Sequence, residues 1–171
     1  MFEESESLAA RVGALAASAC TELFGAYGVE LNATGSHWEL SDEPVLSGVM
    51  GFVGGRLRGT CLLAGAAGPL SASCPDGGRV RDWIGELTNQ LVGRIKTKLL
   101  TRGVEVALTT PIILSGARLQ PVPRGSLLPT VFTSSSGPVL VWIEAEAAGD
   151  VEFGSEHPLH PTGGEGDILL F

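Results

Sequence analysis

Cysteine, histidine and basic residues are scarce in this chain, and each scarcity removes a class of function. Cys20, Cys61 and Cys74 are the three cysteines of 171 residues, far apart and without a Cys-x-x-Cys. That spacing supports neither a disulfide framework nor a zinc site, so the three read as reduced thiols, mostly in the core. The histidines are His37, His157 and His160, the last two in Glu-His-Pro-Leu-His-Pro near a glycine-rich end, and no metal site is expected from so sparse a set. Eleven Lys and Arg stand against 19 Asp and Glu, for a net charge of −8 and a pI near 4.8. Such a balance argues against a nucleic-acid partner or an anionic membrane surface and suits a partner with basic features. No apolar run reaches the ~18 to 20 residues that span a bilayer. The first residues, Phe2-Glu3-Glu4-Ser5-Glu6, are acidic where a signal peptide is basic, so a cytoplasmic location is expected. Two catalytic signatures are also missing. No Gly-x-Ser-x-Gly occurs and no histidine is placed near a likely nucleophile, which leaves self-contained hydrolysis poorly supported. The glycines of Gly48-Val-Met-Gly-Phe-Val-Gly-Gly55 lack a following Gly-Lys-Ser/Thr and read as strand-turn-strand, which argues against a nucleotide loop.

What is present is a chain that is 44% hydrophobic and long enough for one domain with a sizeable core. Leu8, Val12, Leu15, Ala16, Ala19 and Leu23 recur at helical spacing and predict a helix over residues 5 to 25, ended near Gly25 or Gly28. Short β-type segments follow at 29 to 40, 45 to 52 and 56 to 64, with a tight hairpin at Gly54-Gly55. The stretch Gly65 to Gly78, with Pro69, Pro75 and Gly77-Gly78, reads as an irregular loop. A second helix spans 79 to 101, and further strands are expected at 104 to 115, 127 to 134 and 139 to 147. Helix, strands, helix, strands is the order of a pseudo-symmetric α+β domain in which two long helices cover one face of a largely antiparallel β-sheet. Residues 1 to 153 form the expected domain, and 154 to 171 read as a loose Gly/Pro/acid-rich tail, although Ile168 to Phe171 could dock back.

The second helix carries the chemistry. At about 100° per residue, Ile84, Leu87, Thr88, Leu91, Ile95 and Leu99 gather on one arc, and Asp82, Glu86, Asn89 and Gly93 on the other. An acid, an amide and a bare backbone therefore point outward: a carboxylate can hold a cation, an amide can donate and accept, and a glycine lets another surface come close. Solvation alone would explain Glu86. Asn89 is harder to explain that way, because asparagine inside a helix costs about half a kcal/mol relative to alanine. Arg94, Lys96 and Lys98 sit where cations offset the negative end of the helix dipole.

Asp82-x-x-x-Glu86-x-x-Asn89-x-x-x-Gly93, followed by Lys-Thr-Lys-Leu and a strand containing Pro111-Ile-Ile-Leu-Ser-Gly116, resembles the CheC, CheX and FliY chemotaxis phosphatases, and CheX most of all. The resemblance implies a phosphatase that removes the aspartyl phosphate of a CheY-type response regulator. It implies that Glu86 pairs with the regulator's active-site lysine and that Asn89 enters its pocket to orient the attacking water. It implies that the chain binds no cofactor, that Mg2+ sits on the partner, and that the chain forms a homodimer through its sheet. Only one helix bears the motif, as in CheX. The Pro- and Gly-rich 65 to 78 segment departs from the family, in which a better-formed helix is expected, and leaves room for a non-catalytic adaptor built on the same fold.

Overall fold

A computed structural model of the chain describes residues 7–38, 42–119, 121–122, 128–149, 151 and 153–155. Helix α1 (Leu8–Ala26) begins at Ser7, whose hydroxyl accepts the N–H of Ala10 at 3.2 Å, a side-chain N-cap. It ends where Gly28 takes φ +76 and Val29 N–H returns to Phe24 C=O at 3.0 Å. Helix α3 (Val80–Leu100) ends in the same way, with Gly103 at φ +77 and Val104 N–H on Leu99 C=O at 3.0 Å. A left-handed glycine satisfies the last carbonyls of both helices, so the two halves of the chain share their helix stop as well as their element order.

The strands are β1 (Asn32–Gly35), β2 (Val45–Val53), β3 (Leu57–Gly65), β4 (Ala107–Leu108), β5 (Ile112–Gly116), β6 (Thr130–Ser134) and β7 (Gly137–Ala147). They form one antiparallel sheet in the order β1-β6-β7-β3-β2, with β4 and β5 both paired to the outer side of β2. Exchanging β1 with β4/β5, β6 with β2 and β7 with β3 returns the same order, which is the internal symmetry the sequence suggests. The hairpin at Gly54 is present: Gly54 N–H bonds to Leu57 C=O at 2.7 Å, and a Cβ at Gly54 would strike the Glu105 carbonyl.

Both long helices lie on one face. Met50 and Phe52 of β2, Cys61 and Leu63 of β3 and Val141 of β7 point into the core shared with Leu23, Phe24, Leu87, Leu91 and Ile95. On the opposite face Val45, Ala64, Val131, Leu140 and Trp142 form a second, smaller cluster against Trp38 and Leu62. Near the end of the described chain, Val151 and Phe153 pack back on the main core, and the Arg11 guanidinium lies 4.4 Å from the Phe153 ring centre. Residues 156–171, which include His157, His160 and most of the expected tail, lie outside the described residues.

Three expectations change. The 65 to 78 segment contains a helix, α2 (Ala67–Ser73). Pro69 sits in its first turn, where a missing N–H leaves no intrahelical bond unmade, so the proline is compatible with the helix it seemed to forbid. The strand expected over 104 to 115 is broken at Thr109-Thr110-Pro111 into β4 and β5, because proline cannot donate to the ladder. Thr109 bridges the break by donating its N–H to Gly51 C=O at 3.0 Å and accepting Gly51 N–H on Oγ1 at 2.8 Å. The first strand is shorter than 29 to 40: β1 covers Asn32–Gly35, and residues 39–40 lie outside the description, as does residue 127 before β6.

Cys20 and Cys61 are fully buried and Cys74 is half-buried. Burial pushes both core thiols up, Cys61 to about 12 from an ordinary 9.0, and Cys20 higher with the neighbouring Cys61 adding to it. Native protein should expose at most Cys74 to a thiol-reactive disulfide reagent, and all three after unfolding. Because the folded thiols hold their protons more tightly, the stability they contribute is complete below the ordinary thiol pKa and falls as pH rises through the interval above it. An unfolding midpoint that stays level from neutral pH into that interval would contradict this placement.

Candidate functional site

Helix α3 lies flat on the sheet because two glycines let it. Gly48 of β2 faces Thr88, and a Cβ there would collide with the threonine Oγ1 and Cβ. Thr88 is fully buried and satisfies its hydroxyl within the helix, donating to Ile84 C=O at 2.7 Å. On the helix itself, Gly85 faces Ile113 of β5, whose Cδ1 would be 2.8 Å from an added Cβ. The buried stripe is wider than the predicted arc and takes in Trp83, Gly85 and Val92 as well, because α3 packs against α1 and α2 in addition to the sheet.

This seating turns Asp82, Glu86 and Asn89 to solvent, all three exposed, with Gly93 half-buried on the same side. Asp82 stands in the first turn, where a negative charge complements the helix dipole; the helix has no side-chain N-cap of its own. Glu86 and Asn89 are three residues apart, so their Cβ atoms lie about 5 to 6 Å from each other. The Asn89 amide has no hydrogen-bond partner among the described residues. Apart from the backbone of α3 itself, no described residue comes within 4 Å of where a Gly93 Cβ would be, so the surface beyond Asn89 has room for a partner. The four residues singled out by sequence therefore share one exposed face.

Glu86 is not free in the way Asn89 is. Its Oε1 accepts from Gln90 Nε2 at 2.9 Å, and Gln90 Oε1 in turn accepts from the hydroxyl of Tyr27 at 2.9 Å. The Tyr27 ring meets Trp83 edge-on with centroids 5.0 Å apart. Trp83 Nε1 donates to Ser73 Oγ of α2 at 3.1 Å, and Ser73 Oγ donates to Leu70 C=O at 3.1 Å. Sequence reasoning missed Tyr27, Gln90, Trp83 and α2. The available signal was small: the chain's single tyrosine, and a glutamine four residues after the motif acid.

Further along α3, an open groove of about 520 Å³ lies between the two helices, lined by Glu22, Gln90, Gly93, Arg94, Lys98 and others. Lys98 Nζ bonds Glu22 Oε1 at 2.7 Å. The Lys98 bond is the main cause that holds the Glu22 carboxyl below its ordinary value. The exposed positions of α1, among them Ala10, Ala14, Ser18 and Gly25, carry no second Glu-x-x-Asn.

An antiparallel sheet of symmetric order with two long helices on one face is the fold of solved CheX and CheC-like chemotaxis proteins. Residues 46–127 match the family described as Chemotaxis phosphatase CheX. No curated protein sequence matches the chain. Among solved structures, the chain is similar to the chemotaxis protein CheX from Vibrio vulnificus, at 22% identity and TM-score 0.69 over 82% of this chain and 99% of that one. It is similar to CheX from Desulfovibrio desulfuricans, at 18% identity and TM-score 0.64 over 80% and 99%. A CheX–CheY–BeF3–Mg2+ complex from Borrelia burgdorferi contains another similar chain, at 16% identity and TM-score 0.55 over 77% and 93%. At these identities the structural likeness establishes the fold. Between the first strands and the motif this chain forms the short helix α2.

Proposed function

We propose that this chain hydrolyses the aspartyl phosphate of a CheY-type response regulator, with the exposed face of α3 completing an active site whose other half belongs to the regulator. The observation that carries the reading is the pairing on that face of a carboxylate with an amide that has no partner among the described residues. Phosphoryl transfer needs an in-line nucleophile and charge neutralisation more than covalent assistance. The regulator's Mg2+ and lysine supply the neutralisation. Glu86 pairs with that lysine and sets the register of docking. Asn89 Oδ1 accepts a hydrogen bond from water and aims its oxygen at phosphorus, opposite the aspartyl oxygen. A bond from water to phosphorus forms as the aspartyl–phosphorus bond breaks, and the carboxylate leaves. The solved complex of a CheX with CheY, BeF3 and Mg2+ supports this partner class. A non-catalytic adaptor on the same fold is the alternative reading, drawn from the 65 to 78 segment, of which Ala67–Ser73 forms α2.

The test is to map where an activated regulator docks. Adding a beryllofluoride-loaded regulator should shift the backbone amides of residues 82 to 93 in particular. A footprint confined to the far face of the sheet would overturn the reading. A second expectation concerns Gly93, whose Cβ would meet no described residue outside the backbone of its own helix. Gly93→Ala should stabilise the helix by about 0.5 to 1 kcal/mol. Gly93→Trp should fold as well as wild type yet bind the regulator about tenfold or more weakly, some 1.4 kcal/mol. Binding titration and thermal unfolding of both variants check this, and equal affinity for the tryptophan variant would place the partner elsewhere.

A further inference from the structure

Glu86 stands on the surface, and a solvent-exposed glutamate ordinarily samples many rotamers, a freedom that must be given up when it meets a cation. Here the freedom is already restricted from behind. Tyr27 is the C-cap of α1, held between a helix end closed by Gly28 and the edge contact with Trp83, which is itself tied to α2 through Ser73. From this anchored position the tyrosine hydroxyl donates to Gln90 Oε1. An ionised carboxylate only accepts, so Gln90 turns Nε2 to Glu86, and its oxygen is left to accept the Tyr27 hydroxyl, which holds the amide in that place. The carboxylate then has one oxygen engaged, and Oε2 has no partner among the described residues.

We infer that Tyr27 and Gln90 are positioning residues that fix the Glu86 carboxylate before the partner arrives, so that one oxygen is held and the other is presented to the partner's ammonium group. The inference rests on the function proposed for Glu86 and adds that its alignment is built by α1 and α2, elements that carry no motif residue. A hydrogen bond between neutral side chains and one to a carboxylate are the two links. Each is about 2.9 Å long, with the donor and acceptor roles in order: hydroxyl to amide oxygen, amide N–H to carboxylate. Removing the hydroxyl while leaving the ring keeps the Trp83 contact and the packing, so Tyr27→Phe severs the first link alone.

Two measurements test it together. In the free protein, the side-chain amide of Gln90 should give a resolved, rigid NMR signal, and Tyr27→Phe should make it mobile. With a beryllofluoride-loaded regulator, Tyr27→Phe should weaken binding roughly two- to tenfold. Gln90→Ala should do the same, and in a Glu86→Ala background the Tyr27→Phe exchange should have no further effect. At saturating chain the rate of phosphate release should be unchanged in Tyr27→Phe, because Asn89 is untouched. The inference is overturned by a Gln90 amide as mobile in wild type as in Tyr27→Phe, or by a Tyr27→Phe loss that persists undiminished without Glu86, which would mark a purely structural role. A wild-type chain that binds no regulator would instead overturn the proposed function, and the Gln90 signal would still decide whether the relay exists.

Discussion

Asn89→Ala should lower the rate of regulator dephosphorylation at saturating chain by roughly 10² to 10³, the range seen when one preorganised polar group is removed from a transition state. It should leave the affinity for the phosphorylated regulator within a few fold. The amide has no partner among the described residues, so no contact between described residues is lost with it. Alanine is the better helix former, so the same exchange should raise stability by about half a kcal/mol. This combination separates the account from a structural role, in which activity and stability would fall together. Asn89→Asp should not restore the rate, since a second negative charge beside the phosphoryl oxygens opposes the pairing that the regulator's cations provide. Phosphate release under saturation, binding to the beryllofluoride-loaded regulator and thermal unfolding are the three readouts.

Gly48→Ala should destabilise the protein by about 1 to 3 kcal/mol, as overpacking in a close-fitted core does. For a chain of this size that is about 2 to 4 °C in Tm per kcal/mol. The added Cβ meets Thr88 Oγ1 and lies 2.8 Å from Thr88 Cβ and 3.2 Å from the Ile84 carbonyl oxygen, two of them atoms that move only if α3 moves. Lifting α3 displaces Glu86 and Asn89, so turnover and affinity should fall along with stability, unlike the pattern expected for Asn89→Ala. Thr88→Ala removes the closest of these atoms. Combined with Gly48→Ala it should recover part of the loss, with the residual contact of the Thr88 Cβ keeping recovery incomplete, and the non-additivity in a double-mutant cycle is the quantity to measure. Simple addition of the two effects would mean that the helix is not seated on Gly48.

Much of this arrangement is legible in the chain. The period of α3 fixes which side faces the core, and an asparagine in mid-helix marks the other side for inspection. Both long helices, the Gly54 hairpin and the placement of Asp82, Glu86, Asn89 and Gly93 on one face follow from periodicity and turn chemistry. What escapes is set by tertiary context. Pro69 looks like a helix breaker until its place in the first turn of α2 is known, and whether such a seven-residue helix forms depends on its packing against α3 and β7. The break between β4 and β5 follows from Pro111, yet only the sheet shows that Thr109 repairs the ladder with its side chain. The Tyr27–Gln90 link joins residues 63 apart in sequence, a distance over which no local pattern carries information.

The central claim is that α3 supplies the missing part of a hydrolytic site, and counting turnovers tests it most directly. A CheY-type regulator, phosphorylated by a small-molecule donor and freed of it, is mixed with far less than one equivalent of this chain. The account predicts that inorganic phosphate rises many times beyond the amount of chain added, with the regulator's aspartyl-phosphate lifetime shortened in proportion. A lifetime that is unchanged, or lengthened in a stoichiometric complex, would contradict it.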